Sequence, residues 1–99
     1  MTRFDWDEDK NRTNLNKHGL GFETAVGAFA DPNAIARVDR VVDGEDRWQT
    51  IGCLEDGTLV ILVVHTLADK DVEVVVRLIS ARKATPRERR LYEKGDWGE

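Results

Sequence analysis

The sequence predicts an α+β fold, with two N-terminal helices, a four-stranded antiparallel meander sheet and a C-terminal helix. Three observations predict it. Residues 7–29 carry helix punctuation and helical apolar spacing, residues 34–80 switch to β-branched runs broken by short polar connections, and Thr85-Pro86-Arg87-Glu88 spells a helix start. A length of 99 residues matches one domain spanning 1–99, with a single core of modest depth.

Asp7 is placed to cap the first helix, which runs to about His18 with Asp7, Glu8 and Asp9 at its positive end, Lys17 and His18 at its negative end, and Gly19 as its stop. After Trp6 only Leu15 is clearly apolar there. Packing alone does not account for Asn11, Asn14, Asn16, Lys17 and His18, so the polar surplus points toward function. Phe22, Ala25, Val26 and Phe29 share one face of a second helix that Asp31-Pro32-Asn33 ends, because proline cannot continue the hydrogen-bond ladder.

The expected strands are 34–42, 47–54, 58–66 and 71–80, joined by Asp43-Gly44, Glu55-Asp56-Gly57 and Ala68-Asp69-Lys70. Connections this short force antiparallel neighbours, since a parallel crossover needs about a dozen residues or more. The third strand is apolar on both faces, with Leu59, Ile61 and Val63 on one and Val60, Leu62 and Val64 on the other. It is therefore expected at the centre of the sheet, with the N-terminal helices on one side and a partner on the other. In the last helix Thr85 is the cap, Pro86 the first residue and Glu88 the third, which makes a capping box. Gly95 is its stop, and Asp96-Trp97-Gly98-Glu99 is expected as a loose tail.

Composition removes several classes of function. The longest apolar run, residues 59–64, is too short to cross a bilayer, and the polar start lacks a signal-peptide core, so the cytoplasm is the expected compartment. The one cysteine, Cys53, has no internal disulfide partner and is expected as a buried strand residue in preference to a reactive thiol. There is no glycine-rich phosphate loop, no serine nucleophile elbow and no cluster at metal-ligand spacing, so neither a metal nor a cofactor is expected. Charge is distributed unevenly. Residues 77–94 hold seven Lys/Arg against Glu88 and Glu93, a local +5 that leaves −9 for the rest of a chain whose net charge is −4. An acidic body with one basic zone directs an anionic ligand to that zone.

The remaining polar set suits acid–base work on a phosphodiester, which needs a base for the 2′-hydroxyl, an acid for the leaving 5′-oxygen and cations for the charge on phosphorus. Glu88 shares a helix face with Ala84 and Leu91; a base among arginines and a capping-box residue explain it equally well. Tyr92 lies on the same face, as a proton donor, a stacking platform or a helix anchor. Strand alternation places Arg77 in register with Val75 and Ile79, where it needs a carboxylate or phosphate partner. Arg82 follows at the strand end, and Arg47 opens the second strand; both suit phosphate. His18 and His65 are the only imidazoles, the side-chain type that exchanges protons near neutral pH. His18 also reads as a helix cap, and His65 as a structural core histidine.

Taken together, Phe4-x-Trp6-Asp7-x-x-Lys10-x-x-x-Asn14-x-x-Lys17-His18-Gly19, Phe22-Glu23-x-Ala25, Asp31-Pro32, Arg47-Trp48, Val64-His65-Thr66 and Arg77-x-Ile79-Ser80-Ala81-Arg82-x-Ala84-x-x-x-Glu88-Arg89-x-x-Tyr92 resemble the BrnT family of toxins across residues 4–92. One departure is Gly21, where a Ser or Thr cap is expected before Phe22. The resemblance implies a RelE-like ribonuclease that cleaves RNA to halt translation and growth. It also implies neutralisation by a BrnA-type ribbon-helix-helix antitoxin, with the complex binding operator DNA. On this reading Arg77 and Arg82 hold the scissile phosphate, Glu88 or His18 is the base and Tyr92 or His65 the acid. Lys17, Arg47, His65 and Arg89 contact RNA. Two rivals are an inactive interaction module acting in antitoxin binding and operon repression, and a simple nucleic-acid-binding domain.

Overall fold

Local signals at both ends of the chain set the helices where the sequence places them. In the computed structural model, which describes residues 1–98, Asp7 accepts from the backbone N–H groups of Asp9 and Lys10 to open α1 (Glu8–His18), and Gly19 closes it in the left-handed region at φ 68°. At the other end Thr85 and Glu88 form the reciprocal capping box of α3 (Pro86–Lys94), which Gly95 ends at φ 87°. The second helix is shorter than its apolar spacing suggests. It makes one α turn, α2 (Phe22–Ala25), and then tightens into a 3₁₀ segment, Val26–Ala30. Gly21 supplies no side-chain cap, as its missing hydroxyl predicts.

Four strands form the expected meander, β2 (Ile35–Val42), β3 (Glu45–Cys53), β4 (Val60–Lys70) and β5 (Glu73–Lys83), all paired antiparallel. The last hairpin extends beyond its expected ends. Lys70 still pairs with Glu73, and the turn falls at Asp71, which takes a positive φ of 57°, instead of at 68–70. The sheet has a fifth strand that the sequence did not announce. β1 (Thr2–Asp5) pairs parallel to β5 from Thr2 opposite Val74 to Asp5 opposite Arg77, giving the order β1-β5-β4-β3-β2. Residues 6–72 make the long connection that a parallel pair requires. Four residues are too few for alternation to stand out, which is why β1 reads as an ordinary polar N-terminus.

The core fills the face under α1 and α2. Phe22, Ala25 and Ala28 are fully buried against Ile61, Val63, Val76, Leu78 and Ala81, flanked by Phe4, Trp6 and Phe29. Burying a side chain the size of Phe22 contributes roughly 1.5–3 kcal/mol. Gly52 allows the close approach, since a Cβ there would meet the Ala28 carbonyl oxygen at 2.5 Å.

Polar residues, not apolar ones, hold α1 in place. The buried Asn14 amide donates to the carbonyls of Leu20 and Ala81, both at 2.8 Å, and its oxygen accepts the Ala81 N–H at 3.0 Å. Asn11 accepts from the Phe22 N–H and donates to Glu23. β1 pairs with β5 only as far as Arg77, so Asn14 occupies main-chain groups of β5 beyond the reach of that strand. Two of the asparagines in the polar surplus are therefore structural clamps.

On the opposite face α3 covers one corner. Ile51, Leu62 and Ala84 are buried there, with Tyr92 and Trp97 packed against them. The segment expected as a loose tail is thus docked through Trp97, whose ring carries the Arg37 guanidinium at 4.1 Å. Glu99 lies outside the described residues. No described helix is long and apolar enough to cross a membrane.

Candidate functional site

A β-bulge decides which basic residues share a surface. Val64 pairs with Ser80 but His65 pairs with Leu78, so Ile79 is an extra residue in β5. Strict alternation from Arg77 through Ile79 would send Arg82 to the far side. The bulge corrects that reading, because Arg77, Ser80 and Arg82 lie opposite Thr66, Val64 and Leu62, alternate residues on one face of β4. This is the face on which α3 covers one corner. Arg47 precedes Trp48, the partner of His65, and so lies level with Thr66 and Arg77. With one strand between them, Arg47 and Arg77 stand about 10 Å apart.

The three arginines differ in their partners. The Arg77 guanidinium donates to Asp5 at 2.8 Å, so the carboxylate that the sequence demanded comes from β1. Arg82 makes a two-pronged contact with Glu88, Nη1 to Oε1 at 2.8 Å and Nη2 to Oε2 at 3.0 Å. Glu88 also accepts the Thr85 N–H. The Arg82 fork holds the Glu88 carboxyl below the usual carboxylate range, against partial burial that pushes it up; Glu88 in turn raises the affinity of Arg82 for its proton. A carboxylate held this way is a weak base and a good orienter. Arg47 has its Nε buried without a hydrogen-bond partner among the described residues.

Alongside Ser80 the bulged edge of β5 faces α1 across an open groove of about 350 Å³. Asp9, Lys10, Thr13, Asn14, Lys17 and His18 line it from the helix, and Ile79 and Ser80 from the strand. Lys17 and His18 are exposed in the last helical turn. The groove meets the arginine-bearing face at Ser80, between Arg77 and Arg82.

Three other predicted residues lie elsewhere. His65 is 2% exposed on the core face, its Nε2 2.7 Å from the Thr50 hydroxyl, its Nδ1 3.2 Å from the Thr66 carbonyl and its ring edge-on to Phe29. Burial pushes its proton affinity down, outweighing the Thr66 carbonyl that pulls the other way. With Nδ1 donating to Thr66, Nε2 accepts from Thr50, and the ring has no surface for RNA. Tyr92 donates to Asp31 at 2.5 Å, and that bond together with burial pushes its phenol up to about 12. It anchors α3 to the Asp31 loop. Arg89 donates to the Ala84 carbonyl at 3.3 Å, beside Lys83 and Gly57 at the far end of the sheet.

The sequence alone assigns no role to Lys10 and Thr13 of the groove or to Asp5 beside Arg77. Lys10 falls at helical spacing from Lys17, i to i+7, which was the available signal for it. Asp5 had none beyond the need of Arg77 for a carboxylate. Among the described residues no three His, Cys, Asp or Glu side chains gather closely enough to hold a metal ion.

An α+β sheet with a basic face, bordered by an exposed histidine and lysine, has the makings of an RNA-cleaving protein. The chain belongs to the BrnT family: the model of that family, described as the ribonuclease toxin BrnT of a type II toxin–antitoxin system, matches residues 6–88. It is accordingly a ribonuclease toxin with an RNA substrate and a cognate antitoxin. A search of curated proteins finds no match to it.

Proposed function

We propose that RNA is cleaved where the α1–β5 groove meets the arginine-bearing face, by metal-independent acid–base chemistry. The supporting observation is the bulge at Ile79, which sets Arg77, Ser80 and Arg82 on one face, with Ser80 also lining the groove that holds Lys17 and His18. Arg77, Arg82, Lys17 and Arg47 hold phosphates, and Glu88 orients the Arg82 fork. His18 takes the proton of the 2′-hydroxyl, whose oxygen attacks phosphorus. The 5′-oxygen leaves with a proton returned by the imidazolium, giving a 2′,3′-cyclic phosphate and a 5′-hydroxyl end. His18 takes this role because Glu88 is held as an ion, Tyr92 is tied to Asp31 and His65 is enclosed. Developing charge on the phosphate oxygens is met by the guanidinium groups.

The cognate antitoxin is proposed to be of the BrnA ribbon-helix-helix type, the complex to bind operator DNA, and the enzyme to act in the cytoplasm. Family membership supports these points. Incubating a purified RNA with the chain in EDTA and identifying the product ends tests the chemistry. Cyclic phosphate and 5′-hydroxyl ends are expected; 5′-phosphate ends, or loss of cleavage in EDTA, would overturn it. One observation favours a second reading, an inactive interaction module. The forks of Arg77 and Arg82 already carry carboxylates. Intact RNA under all conditions, with the antitoxin still bound, selects that reading.

A further inference from the structure

The core face of the sheet is not wholly covered. The α2 and 3₁₀ segment ends over Phe4 and His65 through Phe29, and apolar side chains continue past it. Val38 lies directly opposite Trp48, and Trp48 opposite His65. Leu67 is two residues along β4 from His65, and Val41 lies opposite Asp46, two residues before Trp48. The bulge at Asp39 and the pairing with β3 put Val38, Val41, Trp48 and Leu67 on one surface. Val38 is 42% exposed, Val41 61% and Leu67 40%, so three of the exposed large apolar side chains share this surface.

Acidic groups border this patch and enter it, since Asp46 of β3 stands between Val41 of β2 and Leu67 of β4. Asp43, Glu45 and Asp46 belong to the β2–β3 hairpin, and Asp69 and Asp71 to the β4–β5 hairpin, and both hairpins turn at the same end of the sheet. Asp46 and Asp69 face the same side as Val41 and Leu67. Such a surface repels phosphate, which rules against RNA, and anionic lipid for the same reason. It complements an apolar ridge bordered by Lys or Arg. A helix fits better than an added strand, because the outer strand β2 is bulged at Asp39 and carries the Asp39 and Arg40 charges, features that discourage edge pairing.

We propose that this patch seats the cognate antitoxin through an amphipathic helix whose apolar face is flanked by basic residues. The proposal rests on the family reading for the existence of that partner. The seat lies on the face opposite Arg47, Arg77 and Arg82. Docking at this point therefore leaves that face uncovered, and inhibition requires a further segment of the antitoxin to reach around the sheet.

The antitoxin encoded with this chain is the probe, titrated calorimetrically against the wild type, Val41→Thr/Leu67→Thr and Asp46→Lys/Asp69→Lys. Both substituted pairs sit at the surface, and threonine suits a strand; thermal melts verify folding. The threonine pair is expected to weaken binding about 50-fold or more, and the lysine pair to weaken it most at low salt. RNA cleavage by the free variants is expected to stay at the wild-type rate. Wild-type affinity in both pairs would overturn the patch assignment while leaving the toxin reading intact. An antitoxin that fails to bind the wild type would overturn the proposal together with the partner on which it rests. A concentration-dependent dimer of the free chain, abolished by the same substitutions, would give the patch to a second copy and overturn it too.

Discussion

Replacing Asn14 with alanine tests whether α1 is held by hydrogen bonds instead of apolar packing. The side chain is 5% exposed, and its removal strands the Ala81 N–H and C=O and the Leu20 C=O. Each buried group left unsatisfied costs about 1–3 kcal/mol, less where a second acceptor site is already used, so a total of roughly 3–5 kcal/mol is expected. A domain of this size has about 5–15 kcal/mol in all, and the melting temperature should fall by some 15–30 °C. Urea denaturation followed by fluorescence of the three tryptophans measures the loss, with the exposed Asn16→Ala as control. A loss under about 1 kcal/mol would refute the reasoning and return the clamp to the apolar contacts of Leu20 and Phe22.

Other substitutions separate scaffold from site. Tyr92→Phe removes one hydrogen bond to an ionised Asp31 and is expected to cost about 1.5–3 kcal/mol while leaving RNA cleavage at the wild-type rate; a large fall in cleavage without loss of stability would return Tyr92 to the chemistry. Because Tyr92 is the only tyrosine, an ultraviolet titration reads its phenol directly, and ionisation near the ordinary value of 10.0 instead of about 12 would show that the Asp31 bond is absent. Gly52→Ala presses a methyl group on the Ala28 carbonyl and is expected to destabilise by about 1–3 kcal/mol or more, measured by the same urea midpoints; an unchanged midpoint would contradict that close approach. Burial lowers the proton affinity of His65 in the folded chain, whereas the unfolded chain protonates it near 6.5, so the folded state binds fewer protons as the pH falls below that value. Its contribution is complete above pH 6.5 and is lost as the pH falls from there through the lower folded-state value. Urea midpoints at about pH 7.5 and 5 should differ more for wild type than for His65→Gln, in a range above that in which the lowered carboxyls of Asp31 and Glu88 titrate; equal differences would count against this account.

Helix ends and the meander were legible because each depends on a few neighbouring residues: Asp7 and Gly19 around α1, Thr85 and Glu88 at α3, and short turns between β-branched runs. The parallel strand β1 was not, since four residues give too little alternation and its partner lies some 70 positions away. The bulge at Ile79 was hidden for a related reason. Ile79 fits an apolar row as well as any strand residue, and only the pairing of β4 with β5 reveals it as extra. Alternation alone would therefore set Arg77 and Arg82 on opposite faces. Composition also misled at Asn11 and Asn14, where side-chain amides take main-chain bonds that a periodicity argument does not count. The basic zone and the Lys17–His18 pair were visible as residues, while their meeting at Ser80 required the fold.

The measurement that bears most directly on the central claim is single-turnover cleavage of one purified RNA in EDTA by the wild type and five variants. His18→Ala, Arg77→Ala and Arg82→Ala are each expected to lose about 100-fold or more in rate, the usual scale for removing an acid–base group or a charge-stabilising donor. Tyr92→Phe and His65→Gln, both outside the groove, should cleave at the wild-type rate at a temperature where they remain folded. The opposite pattern, with His18→Ala and Arg82→Ala fully active, would place the chemistry away from the bulged edge of β5 and contradict the account.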